Sequence, residues 1–228
     1  MKRSEINQKL REAAAFVEKL GFKLPPFTAW SPEEWQHKGH EYDEIRDNML
    51  GWDVTDYGEG HFDTLGLILV TIRNGNQKLP KKYPKQYAEK IFILGANQLS
   101  PMHFHWVKME DIINRGGGNL LVQLYNKTAD NKLADTDVLV KTDGYSRYMK
   151  AGSKIRLTPG ESVSFEKEVY HELTIEPGTG SVLAGEVSLC NDDNTDNFFL
   201  KPFGRFPKIE EDEPAFRLLC NEYPTAKD

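Results

Sequence analysis

Cysteine is nearly absent. The 228-residue chain holds two, Cys190 and Cys220, far apart and outside any CxxC or CxxH pattern. That excludes a disulfide scaffold and a cysteine-ligated zinc module, and two reduced thiols in a cytoplasmic protein are the expectation. No apolar run approaches transmembrane length, and the opening Met-Lys-Arg-Ser-Glu-Ile-Asn-Gln-Lys is charged where a secretory signal would be apolar. Neither a membrane partner nor an export signal is expected. An excess of positive charge is also lacking: the net charge is -6 and the pI about 5.6. A dedicated nucleic-acid binder would need a basic surface to meet phosphates, so that class is excluded. The one local basic run, Lys78 to Lys85, reads as a solvated loop. No internal repeat occurs at a solenoid period. What remains, with 39% hydrophobic and 28% charged residues, is an ordinary globular chain long enough to bury a core without staples.

The apolar positions Ile6, Leu10, Ala13, Val17 and Leu20 recur at three- and four-residue steps and predict an amphipathic first helix, capped by Ser4 and ended by Gly21. Ser31-Pro-Glu-Glu34 has the spacing of a capping box and predicts a second, short helix. From His37 to His61 no period is visible, and the stretch reads as loop. Its histidines, His37, His40 and His61, have no partner at ligand spacing and read as surface side chains. From Thr64 the character changes to β-rich: Thr64 to Arg73 ends at the turn signal Asn74-Gly75. Further short runs follow at Lys90–Leu94, Asn119–Tyr125, Val138–Val140, Lys154–Leu157, Ser162–Phe165, Tyr170–Ile175 and Ser181–Leu189. Short strands punctuated by Gly, Pro, Asn and Asp, with no helical pattern between them, predict a mainly β sandwich or barrel. One domain is expected: residues 1–62 as a helical and loop extension packed on the barrel, 63–190 as the β core, and 191–228 as a loop-rich tail whose aromatic cluster, Phe198 to Pro207, folds back on the body.

Chemistry concentrates in Ser-Pro-Met-His-Phe-His-Trp-Val-Lys-Met-Glu, residues 100–110. On a strand, residues two apart share a face, so His103 and His105 converge on one point. Imidazole nitrogen with carboxylate oxygen suits a divalent first-row metal. Glu110 has the opposite parity to the two histidines, and its arrival at the same point demands a bend or strand change between Trp106 and Met109. His171, on the inward face with Leu173 and Ile175, is the leading further ligand.

This set, HxH with a glutamate five residues on, a glycine cluster at Gly116 to Gly118 and an inward histidine on a later strand, resembles the cupin superfamily. Over the whole chain the sequence is similar to the cupin D-lyxose ketol-isomerases, in the helical N-terminal extension, Lys90, the Pro-Met-His-Phe-His-Trp-Val-Lys-Met-Glu run and the Gly-Glu-Val-Ser-Leu-Cys-Asn-Asp-Asp segment. The resemblance implies a cupin jelly-roll barrel with an N-terminal helical extension. It also implies a dimeric enzyme that interconverts D-lyxose and D-xylulose, and often D-mannose and D-fructose, as free monosaccharides. By the same resemblance His103, His105, Glu110 and His171 hold one divalent metal ion per chain, manganese by preference, with zinc, cobalt or ferrous iron as alternatives.

An aldose–ketose isomerase moves a proton between C2 and C1, which calls for a base near carbon and positive charge near oxygen. Glu186 lies within the apolar run Ser-Val-Leu-Ala-Gly-Glu-Val-Ser-Leu, where a charge is costly unless paired or protonated. It is the expected base, with a buried salt bridge as the structural alternative. Lys108 shares strand parity with Glu110, and Lys90 precedes the HxH run; both are candidates to stabilise the developing oxyanion or to supply a proton. Asp193 and Arg205 are candidates for sugar hydroxyls, and Trp106 and Phe203 for apolar walls. The same ligand set also suits an iron-dependent dioxygenase or a sugar-binding cupin without turnover.

Overall fold

The computed structural model describes residues 1–190, 192–193 and 195–227. Asn191 and Asn194, within the expected polar loop, and Asp228 lie outside them. The first helix, α1 (Arg3–Lys19), buries Ile6, Leu10, Ala13 and Val17 as the periodicity predicts, and Gly21 follows it at φ 75°. Ser4 does not cap it. The helix starts earlier, with the Lys2 N–H donating to the Glu5 carboxylate at 2.8 Å, and the Ser4 hydroxyl donates instead to Asp212 in the C-terminal tail. Buried Arg3 pairs with Glu211 and Glu222, so the two ends of the chain are tied together at this point. Two short helices, α2 (Pro32–Trp35) and α3 (Asp43–Asp47), follow, α2 with the capping box between Ser31 and Glu34.

Among the described residues thirteen strands form two antiparallel sheets. The larger has the order β1 (Gly51–Thr55), β2 (Leu67–Arg73), β3 (Tyr87–Leu94), β12 (Val182–Leu189), β5 (Glu110–Gly117), β10 (Ser162–Phe165), β7 (Val138–Thr142), β8 (Tyr145–Met149). The smaller runs β13 (Asn197–Phe199), β4 (Leu99–His105), β11 (Val169–Ile175), β6 (Leu120–Asn126), β9 (Lys154–Leu157). The inward faces enclose one core, from Leu69, Phe92 and Ile112 on one side to Val122, Leu124 and Leu173 on the other. This is the mainly β, cupin-type barrel with a helical N-terminal segment.

A second apolar layer lies outside the larger sheet, where α1 covers Trp52, Val54, Ile68, Val70, Ile91 and Ile93. Strands β1 to β3 are therefore buried on both faces, which is why Leu67 to Val70 is a continuous apolar run rather than an alternating one. The first strand escapes sequence reading because three of its five residues are Gly51, Asp53 and Thr55: Gly-Trp-Asp-Val-Thr, expected as loop, is a fully buried strand. The expected division at residue 62 consequently cuts the larger sheet, since β1 precedes it. The tail likewise supplies β13, which pairs with β4. Asn74-Gly75 does not close a tight hairpin; the chain from β2 to β3 takes a long polar excursion through residues 74–86. Gly116 and Gly117 pair with Leu183 and Val182 beside a bulge of β5 at Arg115, where the register against β12 shifts between Leu183 and Ala184.

Candidate active site

The site forms where the two sheets face each other. Alternation along β4 turns His103 and His105 inward and Phe104 outward, and β11 places His171 directly opposite His103 in the antiparallel register. One ligand atom from each of the three histidines lies within 4.8 Å of the others. The Nδ1 of His103 donates to the Pro101 carbonyl at 2.7 Å and that of His171 to the Val169 carbonyl at 3.0 Å. These bonds leave the Nε2 lone pairs free for a ligand and fix both rings, the arrangement a metal-binding histidine needs. The rings are also packed from behind, His171 stacked on Phe165 with centroids 4.7 Å apart and His103 against Phe199 at 5.2 Å. His105 turns its Nε2 to the same point, 3.3 Å from the Glu110 Oε1, while its Nδ1 is buried with no hydrogen-bond partner among the described residues. The donor set therefore fits a divalent first-row metal ion.

Between His105 and Glu110 the chain leaves the smaller sheet and enters the larger, so the strand change demanded by parity lies in the crossover 106–109. Glu110 comes back on the histidines from the opposite wall. Its Oε1 is 3.3 Å from His105 Nε2 and 3.1 Å from His171 Nε2, and its Oε2 is 2.7 Å from Lys108 Nζ. Lys108 reaches it by a different route from the one expected. It lies in the crossover, not on a strand, and Asp196 fixes its backbone by accepting the Val107 N–H at 2.7 Å and the Lys108 N–H at 3.1 Å. Sequence reading missed Asp196, because a loop acid carries no signal until its loop is folded.

On the neighbouring strand β12, Glu186 shares the inward face with Val182 and Ala184 and accepts from Lys108 Nζ at 2.8 Å and from the Ser188 hydroxyl at 2.8 Å. Lys108, Glu110 and Glu186 are each at most 3% exposed. Burial pushes the Lys108 ammonium toward neutrality, but the charges of Glu110, Glu186 and Asp193 more than reverse this and hold it above the usual lysine range. Burial likewise opposes the charge on Glu110, yet Lys108 and then His105 outweigh it and keep its carboxyl well below the usual range. Burial, followed by the neighbouring His171 and His105, holds His103 well below the ordinary imidazole range; burial and then Lys108 lower His105. Both imidazoles are neutral near pH 7, the form a metal requires.

The polar wall continues along β3. Lys90 is paired in register with Glu186 and donates to both Asp193 oxygens at 3.0 and 3.1 Å. Arg205 joins Asp193 at 2.8 Å to Asp53 at 2.5 Å. Asp53, fully buried on β1, was invisible in the sequence along with its strand. Burial raises its carboxyl, and Arg205 opposes that rise. Tyr57 and Phe199 complete the wall, the Tyr57 hydroxyl 3.2 Å from that of Ser100. Two expected walls are elsewhere. Trp106 lies on the outer side against Phe104 and Phe198, as its parity relative to His105 requires. Phe203 backs Tyr57 and Phe199, both at ring distances near 6 Å, without lining the cavity.

Three inward histidines and a buried lysine held between two carboxylates form a metal-competent polar centre inside a cupin-type barrel. The family model of D-lyxose isomerase matches residues 1–223. D-lyxose/D-mannose isomerase of Escherichia coli O157:H7 is 49% identical over 225 residues, covering 98% of both chains. The protein of the same description from Serratia proteamaculans is 49% identical over 224 residues, again covering 98% of each. The chain belongs to the D-lyxose isomerase family and is a sugar isomerase. Among solved structures, L-ribose isomerase of Cellulomonas parahominis superposes with a TM-score of 0.61 at 14% identity, over 92% of this chain and 98% of that one. L-ribose isomerase of Acinetobacter sp. DL28 in complex with L-ribose gives 0.60 at 14%, over 91% and 98%. At such identity the likeness is one of fold.

Proposed function

We propose that the chain interconverts D-lyxose and D-xylulose, and D-mannose and D-fructose, as free sugars, by proton transfer through a cis-enediol. The observation that carries this reading is the buried Glu186–Lys108–Glu110 chain of charges beside the histidine cluster. His103, His105, His171 and Glu110 are the residues that would hold a divalent ion, manganese by preference. Such an ion supplies Lewis acidity toward a sugar oxygen.

The protein groups do the rest. Glu186, with Lys108 drawing on one oxygen, takes the C2 proton of the open-chain aldose and returns it to C1 on the same face, while the O2 proton passes to O1. Lys108 remains an ammonium throughout and offsets the negative charge that develops on the enediolate oxygens. Lys90, Asp193 and Arg205 present fixed donors and acceptors to the remaining hydroxyls. Tyr57 and Phe199 keep that side of the cavity dry, which strengthens each of these interactions. A homodimer working in the cytoplasm follows from the family resemblance, and light scattering on the purified protein tests the dimer.

Stripping the protein with chelator, restoring single divalent metals and offering a panel of free pentoses and hexoses tests the reading as a whole. Manganese-dependent aldose–ketose conversion is expected. Failure with every sugar would sink it, oxygen uptake by the iron-loaded protein would favour a dioxygenase, and binding without turnover a storage or sensing cupin. Solvent deuterium appearing at C1 of the product is the expected mark of the enediol route, since a hydride shift would carry the original hydrogen across.

A further inference from the structure

D-lyxose and D-mannose, the sugars in the relatives' names, share their configuration at C2, C3 and C4, and mannose adds one hydroxylated carbon at the distal end. A site that takes both needs space and hydrogen-bonding groups for that carbon. The cavity beside the histidines has a volume of about 70 Å³. Adjoining it is a second cavity of about 130 Å³, lined by the amides of Asn48, Asn74, Asn76 and Gln77, the Thr71 hydroxyl and charged groups that include Asp47 and Lys78. Asp193 and Arg205 line both cavities, and their 2.8 Å ion pair forms the wall between them.

The sheet runs on beneath that wall. Glu186 is paired in register with Lys90, and Lys90 with Thr71. All three point inward and are 3 or 4% exposed; the first two line the histidine cavity and Thr71 the second. Glu186 and Lys90 are held by Lys108 and Asp193, and this row of polar side chains, leading from the reacting carbons into a polar cavity, matches a row of sugar hydroxyls. The pair presents a guanidinium and a carboxylate, the groups that would bind a diol. Arg205 is also anchored by Asp53.

We propose that this second cavity is a distal subsite for six-carbon aldoses, receiving the C5–C6 end of the open chain past the Asp193–Arg205 pair, while five-carbon aldoses stop short of it. The proposal rests on the isomerase reading above for the orientation of the sugar, and the following test separates the two.

Crystals of the manganese-loaded protein are soaked with D-mannitol and with D-arabinitol, the alditols of D-mannose and D-lyxose, and the kcat/KM values of the two aldoses are compared in wild type and Thr71→Val. The terminal hydroxymethyl of mannitol is expected in the second cavity, with arabinitol confined to the first. In Thr71→Val the mannose-to-lyxose ratio of kcat/KM is expected to fall about fivefold, the effect of losing one hydrogen bond. Mannitol lying wholly beside the histidines with only water behind the wall, or an unchanged ratio, overturns the subsite. A wild-type protein that isomerises lyxose alone also overturns it and leaves the lyxose–xylulose reading in place. Mannitol bound across the wall of a protein that isomerises neither sugar supports the subsite and sinks the isomerase reading. The soak remains decisive should Thr71→Val fail to fold.

Discussion

Each charged residue of the site is held by the charge next to it, so its substitution acts on chemistry before it acts on folding. Glu186→Gln retains the shape of the side chain and its bond to Lys108 but loses the basic oxygen. Turnover is expected to fall at least a thousandfold, on the order of the largest general-base effects, with metal content by elemental analysis unchanged; a variant of near wild-type activity would reject Glu186 as the base. Tyr57 behaves differently. Burial pushes its phenol up to about 12 from 10, so the folded state retains a proton that the unfolded state releases. The stability this represents is fully present below pH 10 and is lost as the pH rises through 12. Chemical denaturation of Tyr57→Phe between pH 9 and 12 should show a shallower alkaline loss than wild type, and parallel curves would contradict it. At this scale the histidines were legible because strand parity is a strict period of two. The same rule turns Trp106, one residue past His105, away from the cavity, against its expectation as an apolar wall. Asp53 and Asp196 were not, because each acts through a partner more than 80 residues away, Arg205 and Lys108.

At the scale of elements, the crossover 106–109 does what no strand does: it carries the chain from one sheet to the other within the site. Asp196 clamps it with two accepted N–H bonds and is itself only 4% exposed. Asp196→Ala leaves those donors unpaired and frees Lys108 to wander, so kcat is expected to fall tenfold or more, with the metal retained and KM little changed; unaltered kcat would show that the strands alone position Lys108. The helix α1 does the opposite kind of work. Leu10, fully buried against the outer face of the larger sheet, stabilises without touching the cavity. Leu10→Ala should cost about 2–5 kcal/mol by chemical denaturation, as large-to-small core changes do, with kcat at the wild-type value. The helix and most of the barrel strands were readable because each buries one face. The first strand was hidden because Gly51, Asp53 and Thr55 leave it only two apolar residues, and β8 and β13 because their side chains, exposed or half-buried, give almost no apolar signal.

In the whole molecule the site is divided between the sheets. His103, His105 and His171 come from the smaller sheet, and Glu110, Glu186 and Lys90 from the larger. The closure of one sheet on the other is a long-range fact that no local pattern states; only the bend required before Glu110 hinted at it. The division has a thermodynamic consequence. An ion held by the three histidines and Glu110 would bind both walls at once, and neither wall alone would offer the full set in an unfolded chain. Binding is then linked to folding, and metal present at a hundred times its Kd adds about 2.7 kcal/mol to stability. For a chain of this size that corresponds to a rise in Tm of about 5–10 °C. Calorimetry of the chelator-treated protein, repeated with excess manganese, measures it directly. In Glu110→Gln the same addition should give a clearly smaller rise, because the link to the larger sheet is weakened while the histidines are left in place. An equal rise in both proteins would mean that the ion binds the smaller sheet alone, and that Glu110 serves Lys108 instead of the metal.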